Sequence, residues 1–188
     1  LELRPEKVLI TTFTVANSIE IKNKIRNKNG GSLPSHIDVQ TWQSFLLEHG
    51  VRPYQTWIKK TTGMQMVSGR SGTYKTKHGV RSISEDKYFN NFYFNKKMEV
   101  YSDKLAKLVV RCNHDSNGQV IERLSKIYSH IFVDEIQDME GWDLEVLKLI
   151  LGSEISLVLA GDPRQTVYKT HHDTKYKKYS DGQIKEFL

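Results

Sequence analysis

The chain has 188 residues, 38% of them hydrophobic, and 28 Lys and Arg against 22 Asp and Glu give a net charge of +6. That length allows one domain, or one domain with an inserted subdomain, and no apolar run approaches the roughly 18 residues a bilayer span requires. The single cysteine, Cys112, excludes an internal disulfide and a cysteine-rich zinc site, and the seven His are scattered apart from His171-His172 and read as surface residues. With no apolar secretory leader at the N-terminus, a cytoplasmic protein without membrane partners is expected.

In chain order, residues 8–12 read as a short strand after Pro5. Thr14 is placed to cap a helix running to about Asn27, with Ile21 and Ile25 one turn apart. Asn29-Gly30-Gly31-Ser32 ends it, because glycine tolerates the positive φ of a helix terminus. Residues 37–39 read as the next strand, and Trp42, Phe45 and Leu46 form an i, i+3, i+4 helical face. Residues 54–94 show no sustained periodicity and are rich in Gly, Ser, Thr, Lys and aromatics, so mobile segments are expected there. A helix is predicted to resume near Met98, with Tyr101, Leu105, Leu108 and Val109 on one stripe, and residues 114–118 form a turn. Val120, Leu124 and Ile127 mark a helix leading into a strand at Ile131. Residues 142–151 read as a helix with Leu144, Leu147 and Leu151 inward, closed by Gly152. Strands alternating with helices predict an α/β fold with a parallel sheet and right-handed crossovers.

Two of these strands end in chemistry. His130-Ile131-Phe132-Val133-Asp134-Glu135 reads as a buried apolar strand that delivers adjacent carboxylates to its carboxyl end, the edge at which open α/β sheets bind ligands. A carboxylate there can hold Mg²⁺, and its neighbour can activate a water for attack on a phosphate. Ser156-Leu157-Val158-Leu159-Ala160-Gly161-Asp162-Pro163-Arg164-Gln165 is a second such strand, followed by an amide able to read a terminal phosphate. Together they point to a nucleotide-phosphate site. Charge is uneven as well. Residues 51–111 hold 13 Lys and Arg against 4 Asp and Glu, a balance of +9, while the remainder holds 15 against 18, a balance of −3. A basic insert on a near-neutral core suggests a surface facing a polyanion, and Lys169, Lys175, Lys177 and Lys178 form a second basic cluster.

These motifs resemble superfamily 1 DNA helicases of the UvrD, Rep and PcrA type. Val133 to Asp138 (VDEIQD) looks like the family's second motif and Gly161 to Tyr168 (GDPRQTVY) like its third. Val8-Leu9-Ile10-Thr11-Thr12-Phe13-Thr14 is similar to the strand-TFT-helix segment, and Thr41-Trp42-Gln43-Ser44-Phe45 to the Thr-Phe-His-Ser-Phe element. The four occur in family order. The resemblance implies a RecA-like parallel sheet flanked by helices with an inserted basic subdomain: residues 1–50 the first part of the ATPase core, 51–111 the insertion, and 112–188 the second part. The family's phosphate-binding loop precedes the TFT segment and has no counterpart here, nor has the arginine supplied by a second core domain, so a piece of a longer enzyme is expected. Residues 69–76 imitate a phosphate loop, but Tyr74 stands where a glycine must let backbone approach phosphate, and no apolar strand leads in.

By the same resemblance the cofactors are ATP and Mg²⁺. Asp134 would coordinate the metal, Glu135 would polarise the attacking water, and Gln165 would contact the γ-phosphate; Gln137 and Asp138 would tie the motif to neighbouring loops. DNA is the implied partner, together with a second RecA-like domain of the same parent chain, and the family moves along single strands from 3′ to 5′. Phe13 and Tyr168 match positions that meet bases, where aromatics stack without reading sequence. Thr12, Thr14, Thr41 and Ser44 match hydroxyls near the strand's phosphates. Lys59, Lys60, Lys75 and Lys77 are the insertion's candidates for duplex phosphates. The chain departs from the family at Thr170-His171, where Trp-Arg is common, and at Gln43, where His is usual; Tyr176 and Tyr179 are the substitute stacking aromatics. Two other readings share these residues: a helicase-like nucleic-acid-binding module without motor activity, and the helicase arm of a nuclease or anti-phage defence system.

Overall fold

The β-branched run of residues 7–12 suits a pleated strand, and the computed structural model, which describes residues 7–59, 64–69, 73–162 and 176, places β1 at Lys7–Thr12. Thr14 then takes extended backbone, and its hydroxyl oxygen accepts the Asn17 N–H at 3.1 Å. This caps α1 (Val15–Lys28) as the sequence predicts. Asn29 and Gly31 close it onto the Ile25 and Arg26 carbonyls, with Gly30 and Gly31 at φ 64° and 92°. β2 (Ile37–Thr41) follows, and Thr41 caps α2 (Trp42–Phe45) by accepting the Ser44 N–H at 3.2 Å. The chain winds on through a π-helical turn, Leu46–Val51, and a 3₁₀ turn, Arg52–Tyr54, into α3 (Gln55–Lys59).

The middle of the chain holds β3 (Met66–Val67), β4 (Thr73–Thr76), β5 (Gly79–Ser82), α4 (Phe89–Tyr93) and β6 (Val100–Tyr101). β4 and β5 form an antiparallel hairpin, and β3 pairs with β6 in parallel. Next come α5 (Leu105–Asp115), α6 (Gln119–Ile127), β7 (Tyr128–Val133), α7 (Trp142–Leu151) and β8 (Ser156–Leu159). The main sheet has the order β2-β1-β7-β8, and all three pairings are parallel. The fold is therefore α/β with a parallel sheet flanked by helices, as expected. Among the described residues no helix is long and apolar enough to cross a membrane.

A single apolar cluster runs from Leu9, Ile131 and Val133 in the sheet through Phe45, Leu46 and Val51 to Leu105, Leu108 and Val109 of α5 and Leu144 and Leu147 of α7. It continues into Met64, Tyr93, Phe94 and Val100 of the middle segment. Gly50 makes the close approach to α5 possible, since a Cβ there would lie 2.5 Å from a methyl of the buried Val109. Two sets of polar interactions join the elements that carry the site. Lys107 of α5 pairs with Glu85 at 2.5 Å and lies over the rings of Phe92 and Trp142, at 4.7 and 5.0 Å from their centroids. Trp42 of α2 donates its indole N–H to Asp143 of α7 at 2.7 Å, both side chains being buried.

Three details differ from the sequence reading. The helix expected from Met98 begins at Leu105, because Met98 takes φ 61° and Val100 and Tyr101 are held by β3, Val100 donating to the Gln65 carbonyl at 2.9 Å. Leu151 is half exposed rather than inward; the buried stripe of α7 is Leu144, Val146, Leu147 and Ile150. The acid-bearing strand is buried on one face only. Ile131 and Val133 face the core, while Phe132 and its register partner Val158 are 37% and 41% exposed.

Trp42→Phe keeps the ring in the core but removes the donor to Asp143. We expect it to lower unfolding free energy by about 1.5 to 3 kcal/mol, the range for a hydrogen bond to a carboxylate, read from the urea midpoint at unchanged m-value.

Candidate functional site

Parallel pairing fixes where the motifs meet. Thr12 is in register with Thr41, Thr11 with Val133, and Val133 with Leu159. The residues that follow each strand, Phe13, Trp42, Asp134-Glu135 and Ala160-Gly161, therefore emerge at one edge of the sheet. Backbone hydrogen bonds stitch this edge together: Asp134 N–H to the Thr11 carbonyl at 2.9 Å, Ala160 N–H to Val133 at 2.8 Å, and Ile136 N–H to Ala160 at 3.0 Å.

The two carboxylates are partly exposed. Asp134 Oδ1 accepts the N–H of Glu135 at 3.0 Å, and its other oxygen carries no hydrogen bond among the described residues. Glu135 is left-handed, φ 60° and ψ 42°, a conformation that costs an L-residue about 1 to 2 kcal/mol. Backbone strain of this kind persists where the surroundings over-determine it, often at functional sites. One such restraint is visible. Gln137, buried in the 3₁₀ turn Ile136–Asp138, donates its side-chain amide to Glu135 Oε2 at 2.5 Å. Its carbonyl oxygen, also buried, has no partner among the described residues. Gly161 lies directly beside it: a Cβ on Gly161 would collide with Gln137 Oε1 and come within 2.8 Å of an Ile136 methyl. Only a glycine leaves this space.

The structure distributes the sequence's candidates as follows. Asp134 and Glu135 stand together at the edge, with Phe13 half-buried against the core. Thr12, expected near phosphates outside, is instead fully buried, and its hydroxyl has no partner among the described residues. Thr14 is exposed and engaged in capping α1. Thr41 donates its hydroxyl to Ser44 Oγ at 2.9 Å while accepting the Ser44 N–H, so this pair caps α2. Lys77 is exposed at the tip of the β4–β5 hairpin. Lys59 ends α3 and Lys75 lies in β4, their side chains being outside the described residues; Lys60, Gln165 and Tyr168 lie wholly outside them. Tyr176, a candidate substitute for stacking, donates its hydroxyl to Glu145 of α7 at 2.6 Å; Tyr179 is outside the described residues. The phosphate-loop look-alike leads into the hairpin strand β4, not into a helix, so it lacks the helix N-terminus such a loop needs.

Sequence reasoning missed the Gln137–Glu135 bond and the approach of Gly161. The available signal was an amide two residues after a carboxylate and a glycine heading the second motif. Among the described residues no three His, Cys, Asp or Glu side chains converge on a metal site. Mg²⁺ asks for less: one or two carboxylates, with water and phosphate oxygens filling the octahedron. Asp134, with one oxygen uncommitted, fits that demand.

The family model for the UvrD/REP helicase N-terminal domain matches residues 54–172, well over half the chain. The chain is also 29% identical over 92 residues to the probable DNA helicase II homolog of Mycoplasma genitalium, a match covering 47% of this chain and 13% of that protein.

At Glu135 the left-handed backbone gives a directional test of strain. Glu135→Gly and Glu135→Ala both lose the bond to Gln137, but only alanine keeps the steric cost. Chemical denaturation is expected to find the glycine variant more stable by about 1 kcal/mol.

Proposed function

The chain belongs to the UvrD/REP helicase N-terminal domain family, and on that premise we propose that it is part of an ATP-dependent DNA helicase or translocase and carries that enzyme's hydrolytic edge. The observation that carries this reading is the convergence of three parallel strand ends on Asp134 and Glu135, with Glu135 held by Gln137. Such an edge is where open α/β sheets bind ligands.

Asp134 would hold Mg²⁺ through its uncommitted carboxylate oxygen, and the metal would supply charge neutralisation to the phosphates of bound ATP. Glu135 orients a water molecule and takes its proton, acting as general base. Gln165, four residues beyond Gly161, hydrogen-bonds the terminal phosphate or that water and passes its state toward the nucleic acid. A second RecA-like domain of the intact enzyme completes the site from the other side, because positioning and electrostatic stabilisation supply most of phosphoryl-transfer catalysis.

DNA meets the same module on two surfaces. Phe13 and Tyr168 stack on single-stranded bases, and Thr14, Thr41 and Ser44 line the phosphates beside them. Thr14 keeps its O–H available while its oxygen caps α1. Lys59, Lys60, Lys75 and Lys77 of the +9 segment face duplex phosphates, Lys77 from its exposed place at the hairpin tip. A nucleic-acid-binding module without motor activity is the second reading; it draws support from the basic charge of residues 51–111, which attracts a polyanion with or without bound nucleotide.

Glu135→Gln in the intact enzyme separates the two readings. The amide keeps the shape and cannot take a proton, so DNA-stimulated steady-state hydrolysis is expected to fall at least about a hundredfold while ATP still binds. Near-normal turnover would refute the general-base role, and an intact enzyme without any ATPase activity would favour the non-motor reading. Replacing the four lysines together is expected to flatten the salt dependence of DNA binding, by roughly 0.7 to 0.9 in log–log slope for each phosphate no longer neutralised. Phe13→Ala is expected to weaken single-strand binding with little change in slope, since stacking releases few counterions. Fluorescence anisotropy across a salt series distinguishes the two.

A further inference from the structure

Resting on the hydrolytic reading above, we infer that Gln137 is a positioning residue for Glu135, holding its carboxylate in one place and tying it to the Gly161 segment.

The argument begins with hydrogen-bond chemistry. An ionised carboxylate only accepts, so the Gln137 group facing Glu135 must be its NH₂, at 2.5 Å. The two ends of an amide are told apart by such networks, and here the network leaves no choice. With Nε2 committed to Glu135, Oε1 is turned the other way, into a space where it is buried and finds no donor among the described residues. A buried acceptor left without a donor costs about 1 to 3 kcal/mol. Native structures retain few such groups, and each calls for a reason. Leucine or methionine would fill the volume without that cost. The amide is explained by what its other end does.

Glu135 itself needs holding. Its left-handed backbone departs from the conformations an L-residue prefers, and its side chain is partly exposed. A glutamate in that position sweeps several rotamers unless something fixes its head. Gln137 is rigid enough to do so: it is 5% exposed, and its 3₁₀ turn is closed by the Asp138 N–H to the Glu135 carbonyl at 3.0 Å and the Met139 N–H to Ile136 at 3.1 Å. On the far side Gly161 abuts Gln137 Oε1 and the Ile136 backbone, with no room for a Cβ. Ile136 N–H is in turn bonded to the Ala160 carbonyl at 3.0 Å. Gly161 opens the stretch that carries Gln165. At Gly161 the chain lies directly against Gln137, whose amide holds the Glu135 carboxylate. Gln137 thus links the proposed base to the segment proposed to read the terminal phosphate, without touching substrate.

The test uses the intact enzyme, with ATP, Mg²⁺ and saturating single-stranded DNA. Gln137→Met keeps the length and removes the donor; Gln137→Glu keeps the shape and replaces the donor with an acceptor, which guards against a packing artefact in the first variant. Both are expected to lower kcat by about tenfold to a hundredfold, the scale of a small misplacement of a catalytic group. KM for ATP and DNA affinity are expected to stay within about twofold, because neither depends on where the base points. In single-turnover measurements on a Glu135→Gln background, Gln137→Met should add nothing, since its effect acts through Glu135. A kcat within about twofold of the unmodified enzyme overturns the inference. So does a loss that remains fully additive with Glu135→Gln, or a fall in melting temperature with kcat unchanged. If the unmodified enzyme hydrolyses no ATP, the hydrolytic reading itself fails, an outcome distinct from these.

Discussion

Everything at the candidate site depends on the parallel pairing of β1, β2, β7 and β8. Because all four strands run the same way and in near register, segments separated by more than a hundred residues release their chains at the same edge. A parallel ladder needs a crossover between successive strands. α1 supplies the first, the whole middle segment with α5 and α6 supplies the second, and α7 the third. The acidic pair is therefore placed by backbone bonds across three strands, and one Asp134 carboxylate oxygen is left without a hydrogen bond among the described residues.

The middle segment is the long crossover, and its side chains bind it to the rest of the fold. Its apolar residues Met64, Tyr93, Phe94 and Val100 join the same core as the sheet, so it is anchored to the site-bearing layer. Lys107 reinforces the anchor by reaching Glu85, Phe92 and Trp142 together. Tyr93 adds a hydrogen bond to Glu85 at 2.6 Å, and burial together with that bond pushes its hydroxyl pKa well up. Among the described residues of the segment, Lys77, Arg81, Lys87, Lys96 and Lys97 are exposed instead. Stability and the basic surface are thus carried by different residues, and α5 crosses the boundary expected at Arg111 as part of the common core.

How much of this was legible depended on whether the signal was local. Thr14 before a helical run, the glycines after Lys28, and the apolar strand ending in Asp134-Glu135 are contiguous patterns, and the structure follows them. The helix start at Leu105 was not, because a two-strand pairing with residues 66–67 overrides the apolar spacing at Tyr101. Leu151 misled for a related reason: the last residue of α7 is turned past the core. Thr12 is expected near phosphates only through the family resemblance, yet as the last residue of β1, in register with Thr41, it is fully buried. The approaches that give the site its shape, Gln137 to Glu135 and Gly161 to Gln137, join residues whose types are ordinary in a turn. Only the left-handed backbone at Glu135 and the arrival of β8 bring them into meaning. Trp42 and Asp143 meet for the same reason, 101 residues apart.

The central claim is that this carboxyl edge is where nucleotide hydrolysis takes place, and a structure of the intact enzyme with Mg²⁺ and a non-hydrolysable ATP analogue tests it most directly. The account predicts the metal bound to Asp134, directly at about 2.0 to 2.1 Å or through one of its waters, with the terminal phosphate facing Glu135. Nucleotide and metal bound away from the ends of β7 and β8 would contradict it.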